Sequence, residues 1–306
     1  MNHSKKFTAL CALVIALTFS CKKENRTEDP HNSSDKSAAT TKAIGDTIRF
    51  GTNITQAYTQ AAAETDFTTM TAGTTWKDYR AELVADINDY LSVKMNPTQY
   101  AAGGLVANFN IPDGTYYEVS YRVRFPANFT FGEGGKLGFG FGTGNIWTGE
   151  DNPDGTTAPD GLGGSARIMW KRALKANGEY KCIFKPYLYY TDMPADNGNY
   201  YGTNIVYTNI YPKNDGSITR GIWYTVKMRI KSNTNAQADG EIRIKINNDL
   251  VLAATNIKWG YSGHQQITEL LFHTFRGGNS SEWLTGTWDT IHYDDVVVKA
   301  NPLGTF

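Results

Sequence analysis

The sequence predicts an all-β fold, an antiparallel β-sandwich (jelly roll) with an open concave sheet, and three segments carry that expectation. Val119, Tyr121, Val123 and Phe125 alternate with Ser120, Arg122 and Arg124. Val226, Met228 and Ile230 alternate with Lys227, Arg229 and Lys231. Ile242, Ile244 and Ile246 alternate with Arg243, Lys245 and Asn247. Successive strand side chains point to opposite faces, so a period of two marks strands buried on one side and wet on the other. Glycine-rich turns and the scarcity of helical periodicity complete the pattern. A curved sandwich leaves one face open, which suits a linear polymer better than a deep pocket does.

In chain order, residues 1–20 read as a signal peptide: Lys5 and Lys6, an apolar run from Phe7 to Phe19, then Ser20 before Cys21. The run is too short to cross a bilayer, which takes about 20 residues. A cysteine after a small residue predicts lipidation at Cys21, although Thr18 stands where a lipoprotein signal usually has leucine. Residues 21–47, rich in Ser, Thr, Lys, Asp and Glu, read as a flexible tether. The expectation is an exported chain, lipid-anchored to a bacterial outer membrane and facing periplasm or cell surface. Residues 48–306 read as a single β-jelly-roll domain. Within it, Trp76, Tyr79, Leu83, Ile87 and Tyr90 have helical spacing, but Asn88-Asp89 interrupts it and Leu91, Val93 and Met95 alternate. Two strands around a turn are expected there. Asp239-Gly240 is expected to turn a hairpin.

Composition narrows the function. Thirty basic and thirty acidic residues cancel, which argues against a nucleic-acid-coating protein, and 13% aromatic content argues against disorder. Three cysteines rule out a disulfide-stapled fold; Cys182, in an apolar run, reads as a buried hydrophobe. His31, His264, His273 and His292 have no metal-ligand spacing, so no metal or other cofactor is expected. Asp151, Asp154 and Asp160 lie in a Gly/Pro loop without the EF-hand spacing and read as solvated.

Four segments can carry chemistry. Phe131 to Leu137 sets Lys136 among glycines, which admit a tight bulge and close approach of a ligand. Gly163 to Trp170 puts Ser165 and Arg167 on one strand face, and an arginine fork binds a carboxylate through two hydrogen bonds. Pro186 to Tyr190 puts Tyr187 and Tyr189 on one face. Phe272 to Gly278, followed by Trp283, offers His273, Arg276 and an aromatic platform. In this order the segments resemble family 14 polysaccharide lyases, jelly-roll enzymes that cleave alginate and related polyuronates. The resemblance implies a catalytic set of Lys136, Ser165, Arg167, Tyr187 and Tyr189; Arg276, Trp283 and His273 of the fourth segment are expected to bind substrate. The chain departs from the family in having Gly138 where proline is usual, and in a longer interval before the tyrosines that makes Tyr180 a rival.

Such lyases remove the C5 proton of a uronate and expel the C4 oxygen. Arg167 and Lys136 are expected to neutralise the carboxylate, and a tyrosine with its pKa lowered by these cations to serve as base and then acid. The expected substrate is mannuronate-rich alginate first and β-1,4-glucuronan second, met by a monomer with no nucleic-acid partner and only a lipid anchor in the membrane. A carbohydrate-binding module is the main alternative. A glycoside hydrolase is less favoured, because it needs two carboxylates at a defined separation, and Asp294-Asp295 on a strand would face opposite ways.

Overall fold

The computed structural model describes residues 44–306, except 72–73, 75, 100–102, 150–158, 196–199, 203–210, 279 and 305. The signal peptide, Cys21, most of the tether, His31, and Asp151 and Asp154 lie outside the described residues. The described strands are β1 (Thr47–Ile48), β2 (Gln56–Ala57), β3 (Ala81–Val84), β4 (Tyr90–Met95), β5 (Leu105–Gly114), β6 (Tyr116–Arg124), β7 (Gly134–Lys136) and β8 (Phe139–Gly144). They continue as β9 (Gly163–Leu174), β10 (Tyr180–Tyr189), β11 (Trp223–Lys231), β12 (Gly240–Ile246), β13 (Asp249–Ile257), β14 (Ile267–Arg276) and β15 (Asp289–Ala300). One short helix, α1 (Gln60–Asp66), starts at Thr59, whose hydroxyl accepts from the Ala62 N–H.

Two antiparallel sheets face each other, as expected. The larger runs β13-β12-β11-β6-β15-β4-β3-β2, with β1 also on β15; the smaller runs β10-β9-β7-β14-β5, with β8 paired to both β9 and β14. The alternating segments behave as read: Val119, Val123, Val226, Met228, Ile230, Ile242, Ile244 and Ile246 are fully buried between the sheets. The ambiguous stretch does form two strands, β3 and β4, and Ile87 is exposed at their turn.

Rings join the layers. Phe139 and Phe272 stack at 4.3 Å with 7° between planes, and Tyr293 meets both edge-on. The Tyr293 hydroxyl lies 2.7 Å from that of Thr274, a buried polar link between the sheets.

Two turns differ from expectation. Asp239-Gly240 is not a tight hairpin: a longer connection joins β11 to β12, and the Asp239 carboxylate accepts from the Thr234 N–H. The two-residue turn is Asn247-Asn248, between β12 and β13, both residues at positive φ (49° and 70°). Asparagine tolerates that region, and such a turn matches strand twist. Asp294 and Asp295 do not face opposite ways either. A bulge in β15, with Asp295 at φ 48°, brings both carboxylates within 4.0 Å of Arg122 Nη1.

Candidate active site

Alternation along β9 sends Ala166, Ile168 and Trp170 into the core and Ser165, Arg167, Met169 and Lys171 to the outer face of the smaller sheet. The register with β10 puts Tyr187 opposite Arg167 and Tyr189 opposite Ser165. The longer interval before the tyrosines is simply a longer β9–β10 hairpin. Tyr180 ends up at its far end, 60% exposed and lying on Arg172, away from the site. On the other side of β9, Lys136 pairs with Met169, and Phe275 of β14 pairs with Lys136.

β7 and β8 occupy one lane between β9 and β14, broken at Gly138. Gly138 has φ +69°, and a Cβ there would sit 2.7 Å from the Tyr121 ring. Glycine is required on both counts.

The five expected catalytic side chains converge. Lys136 Nζ lies 3.9 Å from the centroid of the Tyr187 ring, and the Tyr187 and Tyr189 hydroxyls are 3.1 Å apart. The Arg167 guanidinium stands 5.5 Å and 5.7 Å from the two phenol rings. Arg167 Nη1 is 3.4 Å from His273 Nδ1, and His273 Nε2 is 2.8 Å from Asn108 Oδ1. A guanidinium only donates, so His273 Nδ1 accepts and its Nε2–H donates to Asn108. The network therefore fixes a neutral tautomer of His273. Burial pushes its pKa well below the usual value, with Arg167 and Lys136 adding to the shift.

Burial also holds Lys136 well below the ordinary lysine range, reinforced by the charges of Arg167, Lys185 and Lys171. A lysine in that position carries a free amine at lower pH than a surface lysine does. Tyr189 moves the other way from expectation. Burial raises it, its hydrogen bond to Tyr187 raises it further, and Arg167 offsets only part. The expected lowering of this tyrosine by its cationic neighbours is thus reversed by desolvation.

Ser165 and Arg167 also anchor the connection between β8 and β9. The Ser165 hydroxyl donates to the Trp147 carbonyl (2.8 Å) and Arg167 Nη2 to the Thr148 carbonyl (3.0 Å). Trp147 meets Tyr189 edge-on at 4.7 Å, so the tyrosine end of this face is covered rather than open.

Among the expected binding residues, His273 joins the cluster and Trp283 sits at its edge, half-buried, with Lys171 Nζ 4.2 Å over its ring. Arg276 does not join it. Its side chain points the other way from β14, into the core, where it is ion-paired with Asp289 and donates to the Thr130 (2.8 Å) and Phe131 carbonyls. The parity that places His273 and Phe275 on the site face places Thr274 and Arg276 on the opposite one. The residue-by-residue reading missed Met169, Asn108 and Trp147. The first two were within reach of parity, since Met169 lies two residues beyond Arg167 and Asn108 alternates with buried Ala107 and Phe109. Cys182 is buried, its thiol pushed up to about 12 by desolvation, consistent with a packing role.

Cations, phenols and a neutral imidazole are thus gathered on one sheet face of a β-sandwich. The chain belongs to polysaccharide lyase family 14, whose family model, "Polysaccharide lyase 14", matches residues 90–296. The structure is similar to that of the alginate lyase Aly36B, with a TM-score of 0.72 and 34% identity over 86% of this chain and 100% of that one. Aly36B has also been captured with an alginate tetrasaccharide after replacement of a lysine and a tyrosine by alanine. The marine family 14 alginate lyase from Aplysia kurodai shares the fold at a TM-score of 0.59 and 15% identity, over 85% of this chain and 100% of that one. Exolysin from Paramecium bursaria Chlorella virus 1 is 27% identical over 205 residues, 62% of this chain. The chain spans only 30% of that curated relative's length.

Proposed function

We propose that this chain cleaves a polyuronate by β-elimination, mannuronate-rich alginate first and β-1,4-glucuronan second. The observation that carries the reading is Lys136, a buried amine held low in pKa, directly over the phenol of a hydrogen-bonded tyrosine pair. Similarity to Aly36B, an alginate lyase, supports the substrate class. The Lys136 amine takes the C5 proton, the electron pair forms the C4–C5 double bond, and the C4–O4 bond breaks. A proton from the tyrosine pair goes to the departing oxygen, a role suited to a phenol with a raised pKa. Arg167 neutralises the carboxylate as negative charge builds on it, already oriented by Thr148 and His273.

Base and acid both rise from one sheet face, so they meet the sugar from the same side. In mannuronate and glucuronate the C5 hydrogen and C4 oxygen lie on one side; in guluronate they do not. This geometry favours the first two. Among the described residues a hydrolase is not supported: Glu269 and Glu133 lie at opposite ends of this face, roughly 30 Å apart by strand rise, and Glu133 is held by Lys171 and Arg172.

Purified chain is expected to release ultraviolet-absorbing unsaturated uronate from mannuronate blocks faster than from guluronate blocks. Absence of that product from both alginate and glucuronan would overturn the reading.

A further inference from the structure

We propose that the outer face of the larger sheet carries a second, non-catalytic binding site for an acidic polysaccharide, centred on Arg80 and Trp288. The ligand class rests on the polyuronate reading above; the site itself rests on separate residues on the other sheet. Val93 points into the core, so its neighbour Lys94 points outwards, and Arg80, which closes the 3-10 turn Asp78–Arg80, stands over the same Trp288 ring as Lys94. Arg80 is 4% exposed, yet among the described residues its Nε and Nη1 have no hydrogen-bond partner. A buried guanidinium is ordinarily satisfied by a carboxylate or carbonyls, and leaving its N–H groups unmade is costly. Here its carbon instead lies 5.1 Å from the centroids of both Tyr79 and Trp288, rings that are 72% and 52% exposed. Lys94 Nζ lies 4.7 Å from the Trp288 centroid. Among the described residues, neither cation has an ion pair.

That combination matches the two things a uronate offers. Its apolar ring face stacks on an exposed indole or phenol, and its carboxylate accepts from an arginine whose donors are unspent. The arrangement recurs on the same face. Lys94 pairs in register with Thr290, whose hydroxyl is 3.2 Å from His292, and His292 pairs with Arg124. Arg124 stands 4.9 Å and 4.7 Å from the Tyr90 and Trp223 rings, and its Nε has no partner among the described residues. A polymer with a charge on every unit can use both positions. Of the carboxylates nearby, Asp295 and Asp294 face Arg122, Asp78 accepts from the Gln60 N–H, exposed Glu82 lies beyond Ser92 on the row through Arg124, and exposed Asp86 is near enough to act on Tyr90 and His292.

The test uses the full chain with Lys136→Ala to prevent digestion, run in native gels containing alginate or, in parallel, a neutral glucan. Tyr79→Ala, Lys94→Ala and Trp288→Ala are then added together; all three side chains are exposed. The expected result is an apparent alginate affinity about threefold or more weaker, with little retardation by the glucan at any stage. In a chain retaining Lys136, the same three changes should leave turnover of a tetrasaccharide unchanged and slow degradation of dilute long polymer. Unchanged retardation by alginate, or equal retardation by the glucan, overturns the second site. A chain that cleaves no polyuronate but loses alginate retardation with the triple change would overturn the lyase reading and leave this one standing.

Discussion

Lys136 is the residue whose surroundings decide most. Burial and three neighbouring cations all favour the neutral amine, so the active form of a lysine base appears as pH rises through a value below the usual lysine range. The acidic limb of kcat/KM should therefore fall below that of an unperturbed lysine, and Lys185→Ala, which removes one repelling charge, should shift it upward. A limb unmoved by Lys185→Ala would argue that another group is the base. Lys136→Ala should cost about 10²–10⁴ in kcat, the range for loss of a general base. The tyrosines separate by single substitutions, each read as kcat on mannuronate blocks. The one donating to O4 should lose a comparable factor on changing to Phe, whereas its partner, acting only through the 3.1 Å hydrogen bond, should lose much less. Equal losses would mean that the pair acts as a unit.

At the scale of strands and turns, much could be read beforehand because parity is a strong signal. Val119 to Phe125, Val226 to Ile230 and Ile242 to Ile246 announced their buried faces, and the Ser165–Arg167 and Tyr187–Tyr189 spacings announced a shared one. Parity was also enough to place Arg276 in the core, had the His273–Phe275 face been fixed first. What could not be read was cross-strand register, which sets Tyr187 opposite Arg167 only once the hairpin length is known. Desolvation was equally hidden: the cations around Tyr189 were visible in the sequence, but the burial that outweighs them was not. Gly138 supplies a test at this scale. Gly138→Ala forces a Cβ into the Tyr121 ring at a left-handed φ, and should destabilise the fold by roughly 1–3 kcal/mol in urea unfolding. It should also lower kcat, because Lys136 lies two residues away in the same lane. Wild-type stability in that variant would show that the break between β7 and β8 relaxes freely.

For the whole molecule, the buried histidines tie stability to acid. Burial and Arg124 lower His292 to about 3, so the folded chain keeps it neutral while the unfolded chain protonates it near 6.5. The stability this residue contributes is complete above that unfolded value and is lost as pH falls towards 3. His273 acts in the same direction, whereas Asp294, raised by burial, acts in the opposite one. Urea midpoints should drop between pH 7 and pH 4 by an amount worth a few kcal/mol, and His292→Gln should flatten part of that slope. An unchanged slope would place the acid sensitivity elsewhere.

The amine over Tyr187 has one more consequence. A lysine that is free of its proton is also a nucleophile, and the ordinary surface lysines are not at neutral pH. A small neutral electrophile such as isocyanic acid, which forms from cyanate in solution, should therefore carbamylate Lys136 ahead of the exposed lysines, with loss of turnover in step with a single modification. A bound uronate oligosaccharide should shield it. The amine proposed to break a polymer would thus also give this fold one address at which a small covalent inhibitor can be delivered.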